Sequence, residues 1–154
     1  VLYDIGAGTG SISVEAALNM SEGKVFAIER KKEAVNLINK NKEKFKVDNL
    51  HVISGSAPEA LMNLDIPTHA FIGGSQGNLK DIIDILLYKN PKIKIVINAI
   101  TLETVSQTLE CIKHFSIEDV DVTQLSVAKN KKIGGFNMMT GHNPIYIITL
   151  KGAE

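Results

Sequence analysis

Several features are scarce in this sequence, and each scarcity narrows the class of protein. A single cysteine, Cys111, excludes an internal disulfide and a Cys-rich metal site, which fits a reducing compartment. Basic residues (17) only balance acidic ones (17), so a general nucleic-acid binder is not expected. Neither a signal peptide nor an apolar run of membrane-spanning length occurs, so we expect a cytoplasmic protein without membrane contact.

Internal repeats and flexible linkers are also missing, which favours one domain over residues 1–154. The four histidines have no metal-ligand spacing with one another or with the cysteine, so no metal site is expected. The chain lacks an initiator methionine and opens inside an apolar, strand-like segment. This start predicts that a native N-terminal segment is absent from the 154 residues.

What the sequence does contain is a glycine-rich loop, Asp4-Ile-Gly-Ala-Gly-Thr-Gly10, directly after the apolar residues 1–3. Glycines let a backbone approach a ligand where a Cβ would collide. A second strand-like segment, 24–28, is followed by Glu29, whose carboxylate could accept two hydrogen bonds from a ribose diol. Strand, glycine turn, helix, strand and acidic residue are the parts of a nucleotide-binding βαβ unit.

The glycine spacing indicates which nucleotide is bound. A dinucleotide fingerprint, G-x-G-x-x-G/A counted from Gly6, would need Gly or Ala where Ser11 stands. The third glycine comes one place early, at Gly10, and Asp4 is an addition that the fingerprint does not require. D-x-G-x-G-x-G instead resembles the first motif of class I S-adenosylmethionine-dependent methyltransferases.

Strand-like and helix-like segments alternate along the chain. Leu79, Ile82, Ile83, Leu86 and Leu87 recur at helical spacing, and segments 31–46 and 102–112 carry similar stripes. The pattern predicts an α/β fold, a doubly wound and mostly parallel seven-stranded Rossmann-like sheet that ends in an antiparallel hairpin. The predicted strands are 1–5, 24–28, 51–54, 69–72, 93–98, 119–127 and 144–150, with 129–141 connecting the last two.

Ligands of such sheets bind beyond the carboxyl ends of the strands. Five strand ends rich in small or polar residues should therefore border one shared cleft. They are Gly6–Gly10, Glu29, Ser54–Ala57, Gly73–Ser75 and Asn98–Ile100.

A rival pattern occurs at Gly73–Gly77, which matches the G-x-S-x-G of a nucleophile elbow. Asp121 and His142 follow Ser75 in the order used by α/β-hydrolases, so a serine hydrolase is an alternative. No HGGG-like oxyanion segment precedes the serine, and this alternative leaves the Asp4–Gly10 loop without a task.

The segments on this rim resemble those of the cobalt-precorrin decarboxylating methyltransferases, which correspond to the methyltransferase half of precorrin-6Y C5,15-methylase. The resemblance covers nearly the whole chain. It implies methyl transfer to ring carbon 15 of a cobalt-precorrin and loss of carbon dioxide from the ring C acetate, in cobalamin biosynthesis. The similar segments are Asp4–Ala17, Ala27–Arg30, Ala57–Leu61, Phe71–Ser75, Val96–Thr104 and Asn143–Ile148.

The resemblance also implies roles for single residues around S-adenosylmethionine. Asp4 would hold the ammonium end, Glu29 the ribose hydroxyls and Arg30 the adenine. Ser56 stands where many relatives carry an acidic residue that accepts from the adenine amino group, so this contact could pass to Ala57. The remaining residues expected at the cofactor are Gly6, Ala7, Gly8, Thr9, Gly10 and Gly73.

On the substrate side, Asn98, Gly74 and Ser75 would border the reacting centre, and no catalytic base is nominated. A cobalt-precorrin is an anionic tetrapyrrole, so the basic cluster Lys129, Lys131 and Lys132 supplies candidate carboxylate clamps, although such clusters are more often only solvated.

The family also implies a homo-oligomer, often a tetramer, and possible association or fusion with a carbon-5 precorrin methylase. A methyltransferase for another small molecule and a non-catalytic cofactor-binding module remain alternatives.

Overall fold

The computed structural model describes residues 1–152; Ala153 and Glu154 of the predicted 1–154 domain lie outside the described residues. Within residues 1–152, four α-helices and nine β-strands alternate for most of the length, with a short 3₁₀ helix, Glu59–Leu61, after the third strand. The helices are α1 (Ser11–Asn19), α2 (Lys32–Phe45), α3 (Leu79–Lys89) and α4 (Leu102–His114). The strands are β1 (Leu2–Ile5), β2 (Val25–Glu29), β3 (Leu50–Ser54), β4 (His69–Ile72), β5 (Lys94–Ala99), β6 (Asp119–Leu125), β7 (Ala128–Ile133), β8 (Phe136–Gly141) and β9 (Ile145–Lys151).

Seven strands form one sheet in the order β3-β2-β1-β4-β5-β9-β6. The first five pair in parallel, and β9 pairs antiparallel with both β5 and β6. The order reverses beside β1, so the loops after β1 and β4 meet at the switch point where such sheets bind ligands. The predicted doubly wound, mostly parallel seven-stranded sheet is therefore confirmed.

Side-chain alternation along the strands places apolar groups on both faces of the sheet. On one face, Val25 and Ala27 of β2 pack with Val14 of α1 and Ile38 of α2. On the other face a larger cluster includes Phe26, Ile28, the β5 isoleucines and the apolar stripe predicted for α3. The helical stripes read from the sequence thus cover the sheet on both sides, which is why its parallel strands are buried.

The prediction for residues 129–141 was wrong in one respect. They do not form a plain connection between the last two strands of the sheet, because β7 and β8 pair antiparallel as a separate two-stranded sheet. Every residue of these two strands is exposed. The extra hairpin begins after β6 and ends before β9, which starts at Ile145. The next residue, Tyr146, pairs with Ala99 at the carboxyl end of β5. The hairpin therefore projects from the rim that carries the carboxyl ends of the parallel strands.

Among residues 1–152 no helix is long and apolar enough to cross a membrane. Within the same described stretch, no group of three or more His, Cys, Asp or Glu side chains is placed to hold a metal ion.

Candidate functional site

A narrow cavity lies at the switch point of the sheet, and we call it the glycine-loop cavity. Its volume is about 20 Å³. The loops after β1, β2, β3 and β4 all contribute to its wall. Predicted residues that line it are Gly6, Glu29, Arg30, Ser56, Ala57, Gly74 and Ser75.

Two glycines from different loops touch at this cavity. Gly6 has φ +72°, in the left-handed region, and a Cβ added to it would lie 2.7 Å from the carbonyl oxygen of Gly74. The Gly6 amide also donates to the carbonyl oxygen of Ile28, at 3.0 Å. Only glycine lets the backbones after β1 and β4 approach this closely.

The Glu29 carboxylate joins the end of β2 to the glycine loop. Oε2 accepts from the Gly8 amide at 2.9 Å, and Oε1 accepts from the amides of Arg30 and Lys31, both at 2.9 Å. A carboxylate offers about four acceptor sites, so these three bonds leave about one for a ligand. The side chain is 8% exposed and lines the glycine-loop cavity. Glu29 therefore orders the loop and retains one acceptor site, where the sequence had suggested two.

Asp4 lies beneath the loop, where it is 1% exposed. Its Oδ2 accepts a short hydrogen bond from the hydroxyl of Ser13 in the first turns of α1. Burial raises the pKa of the Asp4 carboxyl to about 6; the hydrogen bonds from Ser13 oppose this rise, and the charge of Glu29 adds to it. The carboxylate thus ties β1 to α1, and its predicted contact with an ammonium group stays a prediction.

Asp4→Asn is expected to raise stability above the wild type at neutral pH. The pKa of Asp4 is 3.8 in the unfolded chain and about 6 in the folded one. Between these values the unfolded chain releases its proton more readily, so a rise in pH lowers the free energy of unfolding of the wild type. Asn keeps an acceptor for Ser13 without the charge, so the gain should grow from pH 4 to 6 and reach up to about 3 kcal/mol. Urea denaturation at pH 4, 6 and 8 measures it; a gain that is equal at all three values would contradict the linkage.

The other residues of the glycine loop serve mainly its shape. Gly10 has φ +77°, and a Cβ there would lie 3.0 Å from Ile38 of α2, so this glycine permits helix packing. The hydroxyl groups of Thr9 and Ser11 form a hydrogen bond, and the Thr9 carbonyl oxygen accepts a hydrogen bond from the Asn41 side-chain amide. Ala7 packs against the core on the α1 side. Neither these residues nor Gly8 line the glycine-loop cavity, so their predicted cofactor contacts stay predictions.

A second cavity adjoins the first, and we call it the β5-side cleft. It holds about 300 Å³ and shares the loop residues Gly74, Ser75 and Gln76 with the glycine-loop cavity. Gly73 and Asn98, both predicted at the site, line this cleft as well. The Asn98 Oδ1 atom is buried without a hydrogen-bond partner, which is unusual for a native polar group. The predicted rim thus comes together as two connected cavities.

Lys129, Lys131 and Lys132 lie apart from these cavities, on β7 of the exposed hairpin. The register pairs Lys129 with Thr140 and Lys131 with Met138, while Lys132 pairs with Asn137. Alternation along the strand puts Lys129 and Lys131 on one face and Lys132 on the other. One rigid surface therefore cannot present all three, and a carboxylate clamp at this hairpin stays a prediction.

The hydrolase alternative finds no support in the geometry. Among the hydrogen bonds of residues 1–152, none joins Ser75 to His142 or His142 to Asp121. The His142 backbone amide instead donates to the carbonyl oxygen of Val127, where the extra hairpin closes. Ser75 lacks the base that would activate a nucleophile.

The sequence predictions missed Ser13, which binds Asp4 beneath the loop, and four polar residues that line these cavities. Nothing in the sequence marked Ser13 as a partner of Asp4, since it is a small polar residue in a helix that packs on the core. Gln76 sits inside the predicted turn, and its φ of +52° is uncommon for a residue other than glycine. Such backbone strain often marks functional loops but is not readable from sequence. The other three, from α4, are Glu103, Thr104 and Gln107.

Comparison with known proteins agrees with this geometry. Residues 1–151 match the family model described as the precorrin methyltransferase domain. A protein of Pyrobaculum calidifontis, described as a probable cobalt-precorrin-6B C(15)-methyltransferase (decarboxylating), is 41% identical over 151 residues. That alignment covers 97% of this chain and 77% of the relative.

Solved structures of similar proteins share the fold. The precorrin-6Y C5,15-methyltransferase of Geobacter metallireducens superposes with a TM-score of 0.89 at 38% identity, covering 97% of this chain and 78% of that one. A precorrin-8W decarboxylase of Methanobacterium thermoautotrophicum gives 0.87 at 33% identity, over 99% and 81% of the two chains. Since the family model spans nearly the whole described chain and these relatives exceed 30% identity, the chain belongs to the precorrin methyltransferase family.

Proposed function

We propose that this enzyme methylates ring carbon 15 of cobalt-precorrin-6B and removes carbon dioxide from the ring C acetate, a step in cobalamin biosynthesis. The observation that carries the proposal is the family match over residues 1–151 on a chain whose glycine-loop cavity joins a second cleft. A methyl donor and a large acceptor need two connected sites, and the loop Gly74–Gln76 lies between them.

The residues around the glycine-loop cavity suit S-adenosylmethionine as the methyl donor. Gly6 lines the cavity without a side chain, and Glu29 retains about one acceptor site for a ribose hydroxyl. Ser56 and Ala57 lie on the same wall, with Arg30 beside them, where an adenine ring would be held. Asp4 is buried beneath the loop. We therefore propose that its carboxylate keeps the glycine loop in shape, and that the ordered loop in turn positions the ammonium end of S-adenosylmethionine.

The enzyme's own task in the reaction is alignment. When bound, S-adenosylmethionine supplies a methyl group that its sulfonium already makes electrophilic. Residues of the chain must hold the acceptor carbon in line with it, a proximity effect worth several kcal/mol. We place the acceptor in the β5-side cleft, where the unpartnered Oδ1 of Asn98 would accept a hydrogen bond from a substrate N–H or O–H. Gly74 and Ser75 would pass between the two ligands.

The test is turnover of authentic cobalt-precorrin-6B with S-adenosylmethionine, followed by mass spectrometry of the tetrapyrrole. The expected product has gained one methyl group and lost one molecule of carbon dioxide. Methyl gain without carbon dioxide loss would contradict the decarboxylating assignment. Binding of S-adenosylmethionine without transfer to any tetrapyrrole would favour a non-catalytic module, and transfer only to an unrelated small molecule would favour a different methyltransferase.

We also propose that the protein assembles as a homo-oligomer through the extra hairpin. An isolated two-stranded hairpin is marginal in water, so β7 and β8 need a partner surface. The hairpin exposes four large apolar side chains, which other copies would cover. They are Ile133, Phe136, Met138 and Met139.

Phe136→Asp should reduce the assembly to the 16.7 kDa chain in light scattering, because Phe136 is 77% exposed and Asp would oppose apolar packing. Tyr88→Asp, at an 87% exposed position on α3, is the matched control and should leave the assembly intact. A wild-type chain that is monomeric at micromolar concentration, or equal effects of both changes, would contradict the hairpin interface.

A further inference from the structure

A groove runs between α3 and α4 on the side of the β5-side cleft, and we call it the α3–α4 groove. It holds about 430 Å³ and is lined by Gly77, Leu79, Lys80, Gln107, Glu110 and His114, together with the buried Cys111. Three of these residues also line the β5-side cleft: Gly77, Leu79 and Gln107. The groove is therefore a continuation of that cleft away from the glycine loop.

The β5-side cleft by itself is poorly suited to a polycarboxylate. Its described lining is made of amides, hydroxyls, glycines and apolar side chains, and its one charged member is the carboxylate of Glu103. A tetrapyrrole with acetate and propionate groups around its rim would be repelled by that charge unless cations lie nearby. The hairpin lysines do not line the cleft, so a cation that borders the cleft directly comes from another element.

The α3–α4 groove supplies them. Lys80, in the first turn of α3, is exposed, and His114 ends α4 on the same groove. The ion pairs within residues 1–152 join Lys24 to Asp65 and Lys151 to Asp119, so the Lys80 ammonium has no carboxylate within 4.0 Å. Glu110 is a carboxylate in the same groove, so an anionic ligand group is favoured beside Lys80 and disfavoured beside Glu110.

Another groove has the opposite character. It lies between the 3₁₀ helix and α3, holds about 540 Å³, and carries Glu59, Asp81 and Asp84 around Tyr88. Three carboxylates and no cation exclude an anionic ligand there. The α3–α4 groove, in contrast, combines the Lys80 ammonium group, which has no ion-pair partner among residues 1–152, with direct access to the β5-side cleft.

We propose that the α3–α4 groove is an extension of the substrate site in which Lys80 binds a peripheral carboxylate of the tetrapyrrole and His114 donates a further hydrogen bond. Gln107, which faces both cavities, positions the same side of the substrate. The proposal rests on the proposed function for the identity of the substrate. The β5-side cleft separates the groove from the glycine loop. Lys80 should therefore affect how tightly the substrate binds and not the methyl-transfer step.

The test measures ligand affinities directly, without turnover. Lys80→Ala should weaken the Kd for cobalt-precorrin-6B, followed by absorbance titration, about twofold to fivefold at low salt, since one exposed charge pair is lost. The loss should shrink at high ionic strength, where the pair is screened. Lys80→Arg should retain most of the affinity. The Kd for S-adenosylmethionine, measured by calorimetry, should not change.

Lys40→Ala is the matched control, because Lys40 is an exposed lysine on α2, across the sheet. It should leave both dissociation constants unchanged. A Kd for the tetrapyrrole that is unaffected by Lys80→Ala, or is weakened equally by Lys40→Ala, would overturn the subsite. Wild-type protein that binds the tetrapyrrole through Lys80 yet fails to methylate it would refute the proposed function and leave the subsite standing. Wild-type protein that binds no tetrapyrrole would refute both.

Discussion

Gly6→Ala should lower the free energy of unfolding by about 4 kcal/mol. The added Cβ would lie 2.7 Å from the Gly74 carbonyl oxygen and 2.9 Å from its amide nitrogen, so the backbone itself must move. The left-handed φ of +72° adds about 1–2 kcal/mol for any residue with a Cβ, and overpacking adds about 1–3 kcal/mol. Urea denaturation, followed by circular dichroism, measures the loss.

Gly8→Ala is the control in the same loop. Its φ of +56° carries the same kind of strain, but the nearest atom to its added Cβ is the Gly6 carbonyl oxygen at 4.0 Å. The loss at Gly8 should therefore be about 1–2 kcal/mol. Equal losses at the two positions would mean that the contact between the loops after β1 and β4 does not stabilise the fold.

Glu29→Ala should lower both stability and affinity for S-adenosylmethionine. Removal of the carboxylate leaves the amides of Gly8, Arg30 and Lys31 without their acceptors, and each unpaired donor costs about 1–3 kcal/mol. We expect a loss of about 4 kcal/mol in the free energy of unfolding. The ribose would lose one bond to a charged acceptor, so the Kd should rise about tenfold to a hundredfold.

Glu29→Gln separates the two roles. The amide keeps one acceptor oxygen, so it can serve either Gly8 or the pair Arg30 and Lys31, and the stability loss should be about half that of the alanine variant. Calorimetric titration and urea denaturation are made on both variants. If Glu29→Ala loses stability but binds S-adenosylmethionine as tightly as the wild type, Glu29 orders the loop and does not contact the ribose.

Much of the fold was predictable because its signals are local. The apolar stripe of Leu79, Ile82 and Ile83 predicted α3, and the glycine spacing after β1 predicted the loop at the switch point. The pairing of β9 with β6 followed from the lack of a helix between them. The separate hairpin was not predicted, because Lys129–Gly141 has few strongly apolar positions and its exposed strands obey no burial pattern.

The sequence predicted which residues lie at the strand ends around the candidate site, but not the hydrogen bonds and contacts between them. Glu29 was found through its distance from the glycine loop, yet its bond to Gly8 depends on how far the loop folds back. Ser13 and Gln76 were missed because their importance lies in one short contact and one strained φ angle. Lys80 was missed since a lysine in a helix is most simply a solvated charge, and only the packing of α3 against α4 places it beside the cleft.

The position of β9 has a consequence for synthesis of the protein on the ribosome. This strand comes last among those described, yet it lies inside the sheet, between β5 and β6. A nascent chain that ends before Ile145 leaves the backbone groups along one edge of β5 unpaired and gives β6 no neighbour. Folding from the N-terminal end can therefore complete β1 to β5 but not the substrate side. The strand β5, whose Ile97 and Asn98 line the β5-side cleft, keeps one edge unpaired until the last strand has been made.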